Sequence, residues 1–344
     1  MVYEISELCF ILLGVLFSFN YQTQLNILMD KIVISIIIST RNREQILWDT
    51  VQKACNAIEK KNVEIIVIND GDKVLCVPNF LKGEIKIFDN PKKGVSSARN
   101  FGVSQAKGSI LFFIDDDMWI NNAVIDWIND YIIQKGNTEE VYFINWNYPT
   151  YLNEKLRISK VGRYLLAANY HNLWGRMQKK TEQPSSGLYK YDQLGSCSLV
   201  MKKDIFNKVG CYNENIIFSG EDSDLANKIN KLDIPIYVVF DVTLHHNHLD
   251  RIEIHNFLKR IYDGFGSEFI AKKTGIMGPV PNITYNGFKL LVFDFFRNTE
   301  KAWIFLHIIL PNSSFIQPLQ NKLIGGLGGL QRFKQWRKII KKSQ

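Results

Sequence analysis

The 344-residue sequence predicts an α/β fold: a mostly parallel central sheet flanked by helices, with a helical extension at the C-terminal end. Three observations predict it. Short apolar runs rich in β-branched residues recur at 32–38, 63–68 and 109–114, helical periodicity fills the stretches between them, and each run stops abruptly at a polar cluster. Strands alternating with helices imply parallel βαβ units, and strands apolar on both faces imply a sheet covered on both sides.

The first strand, 32–38, ends at Ser39-Thr40-Arg41-Asn42 and is followed by a helical pattern over 44–60. The second, 63–68, ends at Asn69-Asp70-Gly71. A turn at Gly94 opens a helix that Gly108 closes; its N–H groups and the Arg99 guanidinium are suited to an anion, as helix N-termini are in phosphate sites. The run at 109–114 ends in Asp115-Asp116-Asp117. Burying three unpaired carboxylates would cost more than folding recovers, so they belong at the strand's mouth, in the crevice where such sheets bind ligands. Mg²⁺ is typically held by one or two carboxylates plus substrate phosphates, which makes Asp115 and Asp117 candidate ligands; an acidic helix cap is the plainer use of the same residues.

A further strand is expected over 195–201, then a short helix over 204–209 stopped by Gly210. Glu221 and Asp222 precede a helix expected over 223–232, where the helix dipole favours their ionised forms. An apolar strand over 236–240 leads to Leu244-His245-His246-Asn247-His248. Clustered imidazoles suit Mn²⁺ better than Mg²⁺. Strand alternation forbids His245 and His246 from both facing one site, and His246 is the preferred ligand.

The ordered segments 33–43, 65–71, 94–102, 115–117 and 220–225 resemble the family-two, GT-A-fold glycosyltransferases, inverting enzymes that use nucleotide-diphosphate sugars, here of the bacterial surface-polysaccharide type. The resemblance covers roughly 31 to 250. It implies a Rossmann-like domain with a nucleotide-sugar half over 31–120 and an acceptor half over 121–250, after an N-terminal extension over 1–30. Ser39, Thr40, Arg41, Asp70, Arg99, Asp115 and Asp116 would bind the nucleotide, Asp70 accepting from the base. Asp115, Asp117 and His246 would hold Mn²⁺ or Mg²⁺. Asp222 would be the catalytic base and Glu221 its orienter or an acceptor contact. The implied donor is a nucleotide-diphosphate sugar with uridine as the expected base, and the acceptor a saccharide or lipid-linked hydroxyl on the cytoplasmic face of the cell membrane. Residues 331–336 match the Gln-x-x-Arg-Trp signature of processive relatives only in part, since no Arg precedes Trp336, so a single addition is expected.

Composition agrees with a globular enzyme: 46% hydrophobic, 22% charged, net charge +8. The positive balance favours an anionic partner, namely the nucleotide and an anionic membrane surface, with no nucleic acid expected. Five scattered cysteines, Cys9, Cys55, Cys76, Cys197 and Cys211, read as reduced thiols. Residues 8–19 are apolar but short of the roughly 20 needed to span a bilayer, and residues 1–28 are read as an extension upstream of Met29. Residues 251–344 form a basic, helical, membrane-associating region. In it Arg332, Lys334, Arg337, Lys338, Lys341 and Lys342 interleave with Leu330, Phe333, Trp336, Ile339 and Ile340 without an acidic neighbour, the pattern of an interfacial helix on an anionic leaflet. Two other classes compete. A sugar nucleotidyltransferase would carry a Gly-rich loop where Ser39-Thr-Arg-Asn-Arg43 stands, and a non-catalytic basic membrane- or nucleic-acid-binding protein would leave the ordered carboxylates without a purpose.

Overall fold

The computed structural model describes residues 33–58, 62–81, 83–134, 139–177, 181–273, 275 and 285–341. The apolar stretch 8–19, the extension expected over 1–28, Cys9 and Lys342 lie outside the described residues. Among the described residues nine strands form one sheet: β1 Ile34–Thr40, β2 Val63–Asn69, β3 Lys86–Asp89, β4 Ile110–Asp115, β5 Met118–Trp119, β6 Val141–Asn147, β7 Leu188–Tyr191, β8 Ser198–Lys202 and β9 Ile236–His246. Their order is β3-β2-β1-β4-β8-β6-β9-β5, with β7 also paired to β9. β1 to β4 are mutually parallel; β6 and β9 run in the same sense, while β8, β7 and β5 run against their neighbours. The α/β class and the mostly parallel sheet are therefore as expected, the strand at 195–201 entering as an antiparallel wedge.

β1, β2 and β4 are buried almost throughout because helices cover both faces. α1 (Glu44–Ala57) inserts Leu47, Val51 and Ala54. α2 (Val95–Gln105) lies so close that a Cβ on Gly102 would stand 2.5 Å from Ile37 Cγ2. It ends at Gln105 and not at Gly108, because the next N–H groups are taken from outside the helix: Lys107 N–H donates to Glu64 Oε1 (2.5 Å) and Gly108 N–H to Ser35 Oγ (2.9 Å). Gly108 is there for space, since a Cβ would meet Ile34 C and Ser35 N at 2.8 Å.

Two boundaries matter for the site. The helix expected over 223–232 is α8 (Glu221–Asn230), so Glu221 and Asp222 form its first turn; α3 to α7 (Asn122–Trp127, Thr150–Ile158, Lys160–Ala167, Leu173–Arg176, Lys203–Lys208) precede it. The strand expected over 236–240 continues to His246. It does so through a register shift against β6, where Ile144 pairs with Val239 but Asn145 with Thr243. Such bulges re-aim side chains.

The chain closes with α9 (Ile254–Lys273), α10 (Gly287–Asn298), α11 (Glu300–Ile309) and α12 (Gln317–Lys341). Among the described residues no helix is long and apolar enough to cross a membrane. The apolar side of α12 faces inward: Leu330 and Phe333 are buried with Tyr285, and Leu290, Phe293, Phe296 and Trp336 pack around them. Its basic side is not free of acids either, because Lys334 Nζ donates to Glu300 Oε2 (2.9 Å) and Arg337 pairs with Asp294. These acids are distant in sequence, which is why the helix read as an unpaired interfacial one.

Gly108→Ala is expected to destabilise by about 1–3 kcal/mol, since the obstruction is backbone. Gly326→Ala, in α12 with nothing within 4 Å, should instead raise stability by up to ~1 kcal/mol through helix propensity. Urea midpoints of the two variants against the parent check both signs.

Candidate functional site

The carboxyl ends of β1, β2 and β4, the start of α8 and the end of β9 converge on a cavity of about 1020 Å³. Ser39, Thr40, Arg41, Asp70, Arg99, Asp115, Asp116, Glu221, Asp222 and His246 all line it. Asp117 is fully buried beneath.

The three consecutive aspartates diverge to different cations. Asp115, level with Ser39 in the sheet, accepts from Arg99 Nη2 (2.9 Å). Asp116 accepts from Thr40 Oγ1 (2.7 Å) and Arg43 Nη1 (2.5 Å). Burial pushes the Asp116 carboxyl up, Arg43 pulls it down and the Asp117 charge pushes it up again, leaving it at about 7. Arg43 Nη2 also donates to Asp117 Oδ2 (2.9 Å) and Asp250 Oδ1 (3.2 Å). Burial works against the Arg43 charge, but Asp117, Asp116 and Asp250 outweigh it and hold its pKa above the ordinary value.

Asp117 is placed by the β5–β9 pairing, which sets Met118 opposite His246, and by the Asn247 N–H on its carbonyl (2.7 Å). His246 Nε2 is 3.1 Å from Asp117 Oδ1 and His248 Nε2 is 3.6 Å from Oδ2. All three residues are buried, and their ligand atoms lie within 4.8 Å of one another. Tyr148 Oη bonds the other His248 ring nitrogen, Nδ1, at 2.8 Å, the kind of outer contact that orients a metal-ligating imidazole. One carboxylate and two imidazoles in a buried cluster fit a borderline divalent ion. The cluster differs from the expected set: Asp115 is engaged by Arg99 and stands outside it, and His248 stands inside it. His245 faces away, exposed, with Nδ1 against Asn147 Oδ1 (2.9 Å), as alternation required. The two-residue spacing of His246 and His248 was the signal available for the second imidazole.

Asp70 Oδ1 accepts from the Gly94 N–H (2.9 Å) and Asn90 Nδ2 (2.8 Å), and Arg41 stands 3.9 Å from its Oδ2. The Gly94 N–H expected to be open to an anion is thus satisfied internally, because Asp70 reaches it first. Gly94 itself takes φ of 130°, a region that favours glycine. Arg99 is buried; its Nη1 donates to Glu221 Oε1 (2.9 Å) and its guanidinium lies 5.4 Å from the Tyr212 ring centroid. Burial opposes its charge, yet Tyr212, Asp115, Glu221 and Asp222 hold it protonated.

Asp222 Oδ1 accepts from the Ser196 N–H (3.2 Å) and also from the Ser196 hydroxyl. Its side chain keeps 37% exposure on the cavity side. The α8 dipole was expected to hold it ionised. Burial at the cavity wall, followed by the Glu221 charge, instead pushes it up to about 7 against Arg99 and Ser196. Glu221 Oε2 is buried without a hydrogen-bond partner. The roles of Ser196, Tyr212 and Arg43 were not legible in the sequence. Each acts on a residue distant along the chain; Arg43 alone stood inside a recognised segment.

Mn²⁺ should raise the melting temperature of the parent, and His248→Ala should weaken its binding by at least the ~10–100-fold that loss of an outer-shell partner costs. Asp115→Ala should leave Mn²⁺ affinity nearly unchanged by calorimetry. An equal loss in Asp115→Ala would return that carboxylate to the ligand set.

The sequence model of the glycosyl transferase family 2 matches residues 35–206, half of the chain. An uncharacterized glycosyltransferase of Rickettsia typhi is 25% identical over 252 residues, 70% of this chain and 73% of that protein. The Escherichia coli enzyme WfaP, named UDP-Glc:alpha-D-GlcNAc-diphosphoundecaprenol beta-1,3-glucosyltransferase, is 33% identical over 121 residues, 34% of this chain and 46% of its own length. The solved structure of Staphylococcus aureus TarS superposes with a TM-score of 0.45 at 13% identity, over 87% of this chain and 54% of TarS. By the match over half its length, through the strands and helices that carry Ser39, Asp70, Arg99 and the three aspartates, the chain belongs to glycosyl transferase family 2.

Proposed function

We propose that the protein is a metal-dependent, inverting glycosyltransferase that moves one sugar from a nucleotide-diphosphate donor, UDP-linked, to a hydroxyl of a saccharide or lipid-linked acceptor in cell-surface polysaccharide synthesis. The observation that carries this reading is Asp222: a carboxylate with a proton affinity near neutral pH, on the wall of the cavity that the Asp117 cluster underlies. Residues 31–120 form the nucleotide side and 121–250 the acceptor side. Ser39, Thr40, Arg41, Asp70 and Asp115 line the nucleotide side. Asp117, His246 and His248 would hold Mn²⁺ or Mg²⁺, which when bound supplies positive charge against the leaving diphosphate. Arg99, fixed between Asp115 and Glu221, adds a permanent cation to the same wall.

Asp222 takes the acceptor proton at Oδ2, the oxygen that Ser196 leaves open, as the hydroxyl oxygen attacks the anomeric carbon; the carbon–oxygen bond to the diphosphate breaks on the opposite face, which inverts the centre. Ser196 fixes the carboxylate's orientation, and Glu221, through Oε1, anchors Arg99 beside it. The cavity is at the upper end of the ~300–1,000 Å³ usual for ligand pockets, room for two substrates. Its helical end carries Arg176, Arg260 and Arg332 together with Tyr164, Tyr170 and Phe265. Guanidinium groups bind phosphate in a bidentate fashion, and aromatic rings suit an isoprenoid or sugar face, so this end supports an acceptor that carries phosphate. The diphosphoundecaprenol acceptor in the name of WfaP agrees. Such an acceptor puts the enzyme at the inner face of the cell membrane, as a peripheral protein.

Because the base must be ionised, kcat/KM should rise about tenfold per pH unit below the Asp222 pKa near 7 and level off above it. Asp222→Asn should lower kcat by about 10²–10⁴ with donor affinity little changed, and Glu221→Gln should cost less. Steady-state kinetics from pH 5 to 9 with release of nucleoside diphosphate as the readout tests this; unaltered turnover in Asp222→Asn would move the base elsewhere.

A further inference from the structure

We propose that the outer faces of α10 and α11, with the turn that follows them, are the surface by which the protein sits on an anionic lipid bilayer, and that the basic helix α12 is not. The inference rests on the reading of the protein as an enzyme of the membrane surface and names the structural element that makes the contact.

α10 is two-sided. Leu290, Phe293 and Phe296 point into the C-terminal cluster, while Phe288, Leu291 and Phe295, spaced i, i+3, i+7, form an exposed stripe on the opposite side, with Phe288 82% exposed. α11 repeats the arrangement. Trp303 and Ile304 pack on the main core and His307 is buried, but Phe305, Ile308 and Ile309 are exposed. Beyond Pro311 the chain leaves Phe315 93% exposed, and Leu319 open beside it. Single exposed apolar residues need no explanation, whereas a run of them on adjoining helices marks an interaction surface.

Charge decides the occupant. Residues 285–341 hold nine lysines and arginines against two acids, Asp294 and Glu300. Both acids are consumed internally, Asp294 by Arg337 and Arg297 and Glu300 by Lys334. The exposed charges on this face are therefore all positive: Lys301 lies one turn from Phe305 and Lys322 follows Leu319, while Lys289 stands at the edge, its ammonium 4.9 Å from the Tyr285 ring centroid. A second copy of the chain would bring these cations against one another. A bilayer instead offers acyl boundary to the rings and anionic headgroups to the ammonium groups, which reach them on flexible stems. The inward basic residues of α12 act as the clamps that leave the outer face without negative charge.

The surface is rigidly linked to the cavity. Lys160 of α5 donates to the His307 carbonyl (2.8 Å), and α12, packed on the inner sides of α10 and α11, supplies Arg332 to the cavity's helical end. Docking through the stripes would hold that end of the cavity against the lipid from which a lipid-linked acceptor arrives.

Sedimentation of the full chain with vesicles containing phosphatidylglycerol, and with pure phosphatidylcholine, tests the proposal. The parent should bind the anionic vesicles, and salt should release it only in part because the rings contribute alongside the charges. Leu291→Ser with Phe295→Ser, and separately Phe305→Ser with Ile309→Ser, should each lower partitioning by about tenfold or more, with melting temperature and UDP·Mn²⁺ binding unchanged. Lys338→Gln with Lys341→Gln should lower it far less. If the stripe variants bind like the parent while the α12 variant does not, the assignment to α10 and α11 is wrong and the membrane reading survives. If the parent ignores both vesicles, the membrane reading falls with it, and donor hydrolysis reports separately on the enzyme. A parent dimer that the stripe variants convert to monomer would make the face a contact between copies and overturn the proposal.

Discussion

Three adjacent carboxylates at the end of a buried strand each require a cation, and the crevice is organised by how they are satisfied. Asp115 turns to Arg99, which continues to Glu221 and so ties α2 to the start of α8. Asp116 and Asp117 share Arg43, tying α1 to β4 and to Asp250 beyond β9. Asp117 then meets the two imidazoles at the end of β9. Removing one partner of a buried pair leaves an uncompensated charge, a loss of about 3–5 kcal/mol. These aspartates thus add charged ties between segments that border the cavity to those of strand pairing and the shared core.

The same electrostatics give the two walls different tasks. Beneath one wall, Asp117 and two histidines are drawn together out of water, an arrangement suited to a cation. On the other, Asp222 has Glu221 as its neighbour in the first turn of α8, so its proton is retained to about 7 and can be exchanged near neutral pH. The family match ends at residue 206, before Glu221, Asp222, His246 and His248. The recognised half therefore carries Ser39, Asp70, Arg99 and the three aspartates, and the remaining elements close the cavity from the other direction.

The C-terminal helices show how pairing redistributes charge. α12 carries much of the chain's positive excess, yet its central bases serve to neutralise Asp294 and Glu300 on the helices it packs against. What reaches the surface is an apolar face dotted with lysines.

Strand periodicity and polar strand ends by themselves determined the α/β class, the parallel block of β1, β2 and β4, and the gathering of Ser39, Asp70 and Asp115 at one crevice, because alternation and burial are local properties of a few consecutive residues. The same alternation excluded one of His245 and His246, and the structure turns His245 outward. What the sequence left open was settled by contacts between distant residues. The inclusion of His248 depends on the β6–β9 register shift and on Tyr148; the pKa of Asp222 depends on burial and Glu221, which overcame the helix dipole; the engagement of Gly94 N–H depends on Asp70 reaching across from β2. The inward turn of α12 likewise needed Glu300 and Asp294, more than thirty residues away. In each case the deciding energy is desolvation and pairing in a particular three-dimensional neighbourhood, and neither is carried by the spacing of residues along the chain.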